Sequence, residues 1–137
     1  ARLVLDSGIP ITLIPLDCTH QALTTAKRVE AFRKMPNQSG PAVAAMLDFF
    51  ERFDENKYGT DGGPLHDPCV VAWLIKPELF KGRLVNVSVE CESELTMGAT
   101  VVDWWHVTKR PSNATVIRDV DADGFFKLLA ERIARLP

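Results

Sequence analysis

The sequence has few cysteines, and their spacing matches no common disulfide or metal pattern. Cys18, Cys69 and Cys91 are an odd number, and they form neither a CxxC pair nor a zinc-type arrangement. A disulfide framework is therefore not expected. A free Cys behaves as a small apolar residue, so we expect each thiol to lie in the core.

The sequence also lacks a strong charge and a long apolar run. It has 16 basic and 18 acidic residues, a formal charge of −2, and no basic stripe. Nucleic acid is therefore not an expected partner. No apolar stretch reaches the roughly 18 residues that a membrane span needs, and the first residues do not have the layout of a signal peptide. We expect no membrane partner and a cytoplasmic location.

The remaining composition is that of an ordinary globular chain. Apolar residues make up 46% and charged residues 25% of the 137 residues. A chain of this length is typical of one domain, with roughly two thirds of its unfolded-state surface removed from water. We therefore expect a single domain over residues 1–137.

Apolar patterning along the chain predicts strands that alternate with helices. The predicted strands are IPITLIPLD, LVNVSVECE, TVVDWW and ATVIRDV, and the predicted helices are residues 20–35, a segment from Pro41, DPCVVAWLIKPELF and the C-terminal DGFFKLLAERIARLP. The helix DPCVVAWLIKPELF is predicted to end or kink near Lys76, because Pro77 follows. The segment DENKYGTDGGP is predicted to be a loop. This order favours an α/β fold, with a layered, mostly parallel open sheet and flanking helices; the last two strands could form an antiparallel extension.

The step GGPLHDP places two polar residues, His66 and Asp67, between a glycine-rich break and an apolar helix. In one interpretation Asp67 caps the helix, Pro68 is its first helical residue and His66 packs. In the other, the Asp67 carboxylate binds a hard cation and the His66 imidazole acts on a substrate. The spacing alone allows both.

The segment DVDADG resembles the start of a calcium-binding EF-hand loop. That loop needs a glutamate at its twelfth position, which is Ala130 here. We therefore interpret Asp121 and Asp123 as caps of the last helix.

Other candidate residues have structural interpretations. His20 and His106 have no acid at ligand spacing, which favours surface or packing roles. Trp104 and Trp105 lie in an apolar strand and are expected in the core or an interface.

Three segments together resemble a known family. They are ARLVLDSGIPITLIPLDCTHQALTT, YGTDGGPLHDPCVVAWLIKPELF and VNVSVECESELTMGATVVDWW, in that order. With them, the chain resembles the C-terminal half of the inosine-uridine preferring nucleoside hydrolases, which cleave the N-glycosidic bond of ribonucleosides.

The resemblance implies roles for three residues. Asp67 matches a ligand of the active-site calcium ion. His66 matches a histidine that lines the nucleobase pocket and in some members is proposed to protonate the leaving base. Tyr58 matches a tyrosine that contacts substrate in several members. The family's N-terminal DxDxxxDD segment and its ribose-binding Asn and Glu residues have no match in this chain.

Two classes of function follow. The chain is either the C-terminal part of a calcium-dependent nucleoside hydrolase, inactive alone, or a non-catalytic interaction or nucleoside-binding module that retains the scaffold. Part of an α/β fold also leaves apolar surface exposed. We therefore expect a homo-oligomer or association with a missing N-terminal half.

Overall fold

The computed structural model describes residues 1–58 and 62–137, and the side chains of residues 1–50 and 62–137. In order, these residues form α1 (Arg2–Leu5), β1 (Thr12–Leu13), α2 (Leu16–Thr19), α3 (Ala26–Arg33), α4 (Ser39–Tyr58), α5 (Asp67–Ile75), a 3₁₀ helix (Pro77–Leu79), β2 (Phe80–Val89), β3 (Thr100–Asp103), β4 (Ala114–Val120) and α6 (Ala122–Ile133).

The chain divides into two compact units. Residues 1–15 and 81–118 form the first unit, which contains nearly all of the sheet. Residues 16–80 and 119–137 form the second, which contains α2 to α6.

The sheet has the strand order β1-β4-β2-β3. β1 and β4 are parallel, with Thr12 opposite Thr115, and β2 and β3 are antiparallel, with Asn86 opposite Asp103. The α/β class is thus confirmed, with a sheet that mixes both pairings. The last two strands do not form the predicted antiparallel extension: β4 lies between β1 and β2, and β3 pairs with β2 instead.

The core of the first unit lies against one face of this sheet. Its buried members are Leu5, Val85, Val87, Ala114 and Val116. Val85 and Val87 alternate with more exposed residues along β2, as the period-two pattern predicts. The side chain of Asn113 adds three hydrogen bonds to backbone groups of Leu5 and Val87.

Several predicted boundaries in the helical segments are wrong. The helix predicted over residues 20–35 is α3, which begins only at Ala26 because residues 22–24 bond to residues 63–65 instead. Residues 54–58, predicted as the start of a loop, belong instead to α4, which continues to Tyr58. The expected end of α5 before Pro77 is confirmed, with Lys76 as its C-cap. Within the described segments, no helix is both long and apolar enough to cross a membrane.

Candidate functional site

The glycine-rich break before His66 is held against the segment that follows α2. The amide and hydroxyl of Thr24 both donate to the Gly63 carbonyl, at 2.9 and 2.8 Å, and the Leu65 amide donates to the Ala22 carbonyl at 2.9 Å. Gly62 has φ +96°, and a Cβ atom there would lie 2.5 Å from the Thr24 carbonyl oxygen. Glycine is therefore required at this position for conformation and for space.

His66 is oriented by a hydroxyl group from α2. The Thr19 Oγ1 atom lies 2.8 Å from Nδ1 of His66, and the direction of this hydrogen bond depends on the imidazole tautomer. Thr19 is buried and His66 is half-buried. Among the described residues, the second ring nitrogen, Nε2, has no hydrogen bond. The contact thus holds one nitrogen and leaves the other for a ligand.

A second histidine lies beside the first. The rings of His20 and His66 have centroids 5.5 Å apart and planes tilted by 50°. The sequence favoured a surface or packing role for His20, whereas the structure places it at the candidate site. Thr19 was not predicted as a site residue at all. The only signal for either is that both lie in the quoted segment DCTHQ, one of the stretches that carry the family resemblance.

Asp67 is the first helical residue of α5, not its N-cap as predicted. His66 is the N-cap, and its carbonyl accepts from the Cys69 amide at 3.1 Å; its own backbone is unusual for an N-cap in lying close to the helical region (φ −78°, ψ −71°). The side chains at this terminus form no capping hydrogen bond. Asp67 is exposed, and its carboxylate has no hydrogen bond or ion pair within the described residues. The capping interpretation of this aspartate therefore has no support in the geometry.

The start of α5 offers one exposed carboxylate, that of Asp67. No cluster of three or more His, Cys, Asp or Glu side chains suited to a metal occurs within the described residues. Calcium takes roughly six to eight oxygen ligands. The exposed carboxylate of Asp67 fits the role of one hard ligand, to which further oxygens must be added.

Two apolar clefts border the start of α5. The first has a volume of about 390 Å³ and lies between α4 and residues 66–68, which we call the HDP step. Its lining is Met46, Leu47, Phe50, Pro64, Leu65, His66, Asp67 and Pro68. The second, of about 360 Å³, lies between α5 and α6. Both volumes are within the range of small-molecule sites, and among the described residues His66 and Asp67 are the polar members of the first cleft. The side chain of Tyr58, the predicted substrate contact, lies outside the described residues.

The three cysteines are free, and the predicted core position is confirmed for Cys18 and Cys69 but wrong for Cys91. Burial raises the pKa of Cys18 to about 11, with a smaller contribution from the Asp119 carboxylate. Burial also raises the pKa of Cys69 to about 12, and Cys18 adds to the effect. Both thiols are therefore protonated at neutral pH, whereas Cys91 is only half-buried.

The remaining candidates have structural roles. Asp121 accepts a hydrogen bond from the Gly124 amide at 3.0 Å, so its predicted cap is confirmed, while Asp123 pairs with Arg28 at 2.6 Å. Trp104 packs against the core of the sheet, but Trp105 exposes 74% of its surface and does not belong to the core.

Comparison with known proteins identifies the class of this α/β chain. A sequence model described as the inosine-uridine preferring nucleoside hydrolase matches residues 1–127. The chain belongs to this family.

Two curated relatives show how much of a family member is present. An uncharacterized protein of Schizosaccharomyces pombe is 54% identical over all 137 residues, which are 44% of its own length. The pyrimidine-specific ribonucleoside hydrolase RihA of Shewanella oneidensis is 47% identical over 135 residues, 98% of this chain and 42% of RihA. The chain thus spans less than half of the length of the curated relatives that it matches.

A solved structure agrees with this result. The purine-preferring ribonucleoside hydrolase of Gardnerella vaginalis superposes with a TM-score of 0.84 at 31% identity, over 98% of this chain and 42% of that one. A plant nucleoside hydrolase shares the fold, with a TM-score of 0.81 at 23% identity.

Proposed function

We propose that this chain contributes one wall of a site that hydrolyses the N-glycosidic bond of ribonucleosides. The observation that carries the proposal is the geometry of the HDP step. A half-buried imidazole held at Nδ1 and an exposed carboxylate without a partner among the described residues lie next to each other, at the edge of an apolar cleft. Membership of the nucleoside hydrolase family is the reason for proposing ribonucleosides as the substrates.

His66 is the residue that acts on the leaving base. With Nδ1 bonded to Thr19, Nε2 is the atom that can donate a proton or a hydrogen bond to a ring atom of the base. An imidazole suits this task because its ordinary pKa lies close to neutral pH. The apolar lining of the cleft, with Met46 and Phe50, offers surface against which a nucleobase can pack.

Asp67 is the calcium ligand of this chain. Its position at the start of α5 is favourable for a carboxylate, because the N-terminal end of a helix carries a partial positive charge. A bound calcium ion would supply Lewis-acid polarisation of a water molecule and of substrate hydroxyls. Tyr58 is proposed as a further substrate contact on the basis of the resemblance.

The chain is proposed to be inactive alone. It brings one carboxylate to a cation that takes roughly six to eight oxygens. Its matched relatives are more than twice as long. A missing N-terminal half, or another copy in a homo-oligomer, would have to complete the site.

The relatives' names suggest which nucleosides to test. Several proteins that are 45 to 47% identical are named pyrimidine-specific ribonucleoside hydrolases, and the purine-preferring structure is 31% identical. Uridine is therefore the first substrate to test, with inosine beside it. Location in the cytoplasm stays a prediction of the sequence.

The test uses a chimaera, in which this chain replaces the matched segment of the Shewanella RihA. We expect the chimaera to hydrolyse uridine with calcium, and the chain alone to be inactive. Asp67→Asn should lower kcat/KM about 100-fold or more, since it removes a charged ligand. Asp119→Asn changes another exposed aspartate, one that lines neither cleft, and should have little effect.

Three results would contradict parts of this proposal. Calcium-dependent turnover by the isolated chain would show that it is active alone. Asp67→Asn with unchanged turnover in the chimaera would remove Asp67 from the metal site. A folded but inactive chimaera would favour the alternative of a non-catalytic module that retains the scaffold.

A further inference from the structure

Helix α5 is apolar on all sides. Its sequence, DPCVVAWLI, contains no charged residue after Asp67. The side that faces the rest of the second unit buries Cys69 and Ala72, which are 0% and 6% exposed. A helix that is hydrophobic all round is normally enclosed by protein.

The opposite side of α5 is not enclosed. Val70, Val71, Leu74 and Ile75 expose 49%, 57%, 68% and 46% of their surfaces. Val70 and Leu74, and likewise Val71 and Ile75, are four residues apart, a spacing that places all four along one side of the helix. We call these four residues the outer face of α5. Four adjacent aliphatic side chains differ from the scattered exposed apolar residues of a typical surface, and contiguous patches mark sites of interaction.

The outer face continues directly into the second cleft, and the start of α5 links it to the first. On one side, Val71 and Ile75 line the second cleft together with Leu129 of α6. On the other, the first cleft runs from the start of α5 to Met46 and Phe50 of α4, which are 63% and 44% exposed. Asp67 and Pro68 line both clefts. The apolar surface and the candidate site therefore meet at the start of α5.

We propose that the outer face of α5 is the docking surface for the remaining part of a nucleoside hydrolase polypeptide. The relatives match 98 to 100% of this chain but are more than twice its length. They therefore contain a body of polypeptide larger than this chain, and the outer face is an apolar surface of this chain on which it can pack.

A second copy of this chain fits the same surface less well. The inference rests on the proposed function, in which the partner must bring the other oxygen ligands to the cation beside Asp67. A second copy would add one more Asp67, and two carboxylates are far from the roughly six to eight oxygens that calcium takes. The remaining part of a family polypeptide is not limited to one additional carboxylate.

Cysteine labelling in the RihA chimaera tests the surface directly. Leu74→Cys lies on the outer face, and Leu95→Cys, 95% exposed in the first unit, is the matched control. Cys91→Ser removes the half-buried native thiol in every variant, and Cys18 and Cys69 are buried. In the isolated chain both introduced thiols should react rapidly with a maleimide. In the chimaera the reaction at position 74 should slow about tenfold or more while position 95 is unchanged, because thiol reactivity follows exposure.

Each other outcome overturns the inference. Unchanged labelling at position 74 in the chimaera means that the outer face is not covered. Slow labelling at position 74 in the isolated chain, with a dimer mass by light scattering, assigns the face to a second copy. A chimaera that does not unfold cooperatively shows that the face does not fit the remaining polypeptide.

Uridine hydrolysis by the same chimaera separates this inference from the proposed function. Protection at position 74 without turnover leaves the docking surface in place and contradicts the function. Turnover without protection leaves the function in place and contradicts the docking surface.

Discussion

The hydroxyl of Thr19 and Nδ1 of His66 lie 2.8 Å apart, although the two residues are 47 positions apart in the sequence. This contact joins the end of α2 to the N-cap of α5. It also decides which nitrogen of His66 is available to a ligand, since the tautomer of an imidazole follows the hydrogen bond that its other nitrogen makes.

Replacing Thr19 should free the His66 ring. Thr19→Val keeps the shape of the side chain but leaves Nδ1 without its partner, which should cost about 1 to 3 kcal/mol of unfolding free energy. It should also change the ratio of the two His66 tautomers. Urea denaturation and ¹⁵N chemical shifts of the imidazole measure the two effects.

Thr19→Ser is the control for that experiment. It keeps the hydroxyl and loses only a buried methyl group, which costs about 1 kcal/mol. Its tautomer ratio should remain that of the unaltered chain. If the valine and serine variants have the same ratio, the hydroxyl does not position the ring.

Gly62 should tolerate no side chain. Gly62→Ala combines a positive φ of 96° with a Cβ only 2.5 Å from the Thr24 carbonyl oxygen. Gly98→Ala provides the control, because its φ is +83° and no atom lies within 4 Å of its Cβ. The unfolding free energy of the control should fall by about 1 to 2 kcal/mol from backbone strain alone. The unfolding free energy of Gly62→Ala, measured by urea denaturation, should fall clearly more than that of the control. Equal decreases would mean that the segment around Thr24 moves away freely.

Buried thiols should make the chain less stable in alkali. The folded-state pKa is raised from 9.0 to about 11 for Cys18 and to about 12 for Cys69. Below about pH 9 both thiols are protonated in the folded and in the unfolded chain, so their contribution to the unfolding free energy is fully present. As the pH rises from there towards the folded pKa values, only the unfolded chain releases these protons, and the unfolding free energy falls.

Cys69→Ala should reduce that dependence on pH. The variant loses some stability at neutral pH, because it removes a buried sulfur, but its unfolding free energy should fall less steeply between about pH 9 and 11. Urea denaturation at a series of pH values measures the slope. Parallel curves for the variant and the unaltered chain would show that Cys69 does not titrate differently on unfolding.

Local chemistry made part of the fold predictable from the sequence. The alternation in β2, the Asp121 cap of α6 and the end of α5 before Pro77 follow from residues close in sequence, and all three are present. Boundaries set by tertiary contacts were not predictable. The late start of α3 depends on Thr24, which bonds to Gly63 across 39 residues.

The candidate site shows the same limit. His66 and Asp67 were found from their place between a glycine break and an apolar helix, combined with the family resemblance. Thr19 and His20 were missed as site residues because a threonine at the end of one short helix carries no local sign of a partner in a distant loop. The N-cap was assigned one residue too late, because an aspartate before proline is the more usual cap. The backbone conformation of His66, the N-cap in the structure, cannot be predicted from the sequence.

Asn113 should be the most sensitive amide side chain of the first unit. Its Nδ2 donates to the carbonyls of Leu5 and Val87 at 3.2 and 2.9 Å, and its Oδ1 accepts from the Val87 amide at 2.8 Å. Asn113→Ala leaves these half-buried backbone groups without partners, so the unfolding free energy should fall by about 2 to 3 kcal/mol. Asn86→Ala removes an exposed bond of 2.7 Å to the Pro111 carbonyl and a bond of 3.2 Å from the Ser88 hydroxyl; it should cost about 1 kcal/mol, because water replaces these partners. A loss for Asn113→Ala no greater than that for Asn86→Ala would mean that water reaches the Leu5 and Val87 groups and that the amide does not hold the N-terminal segment to β2.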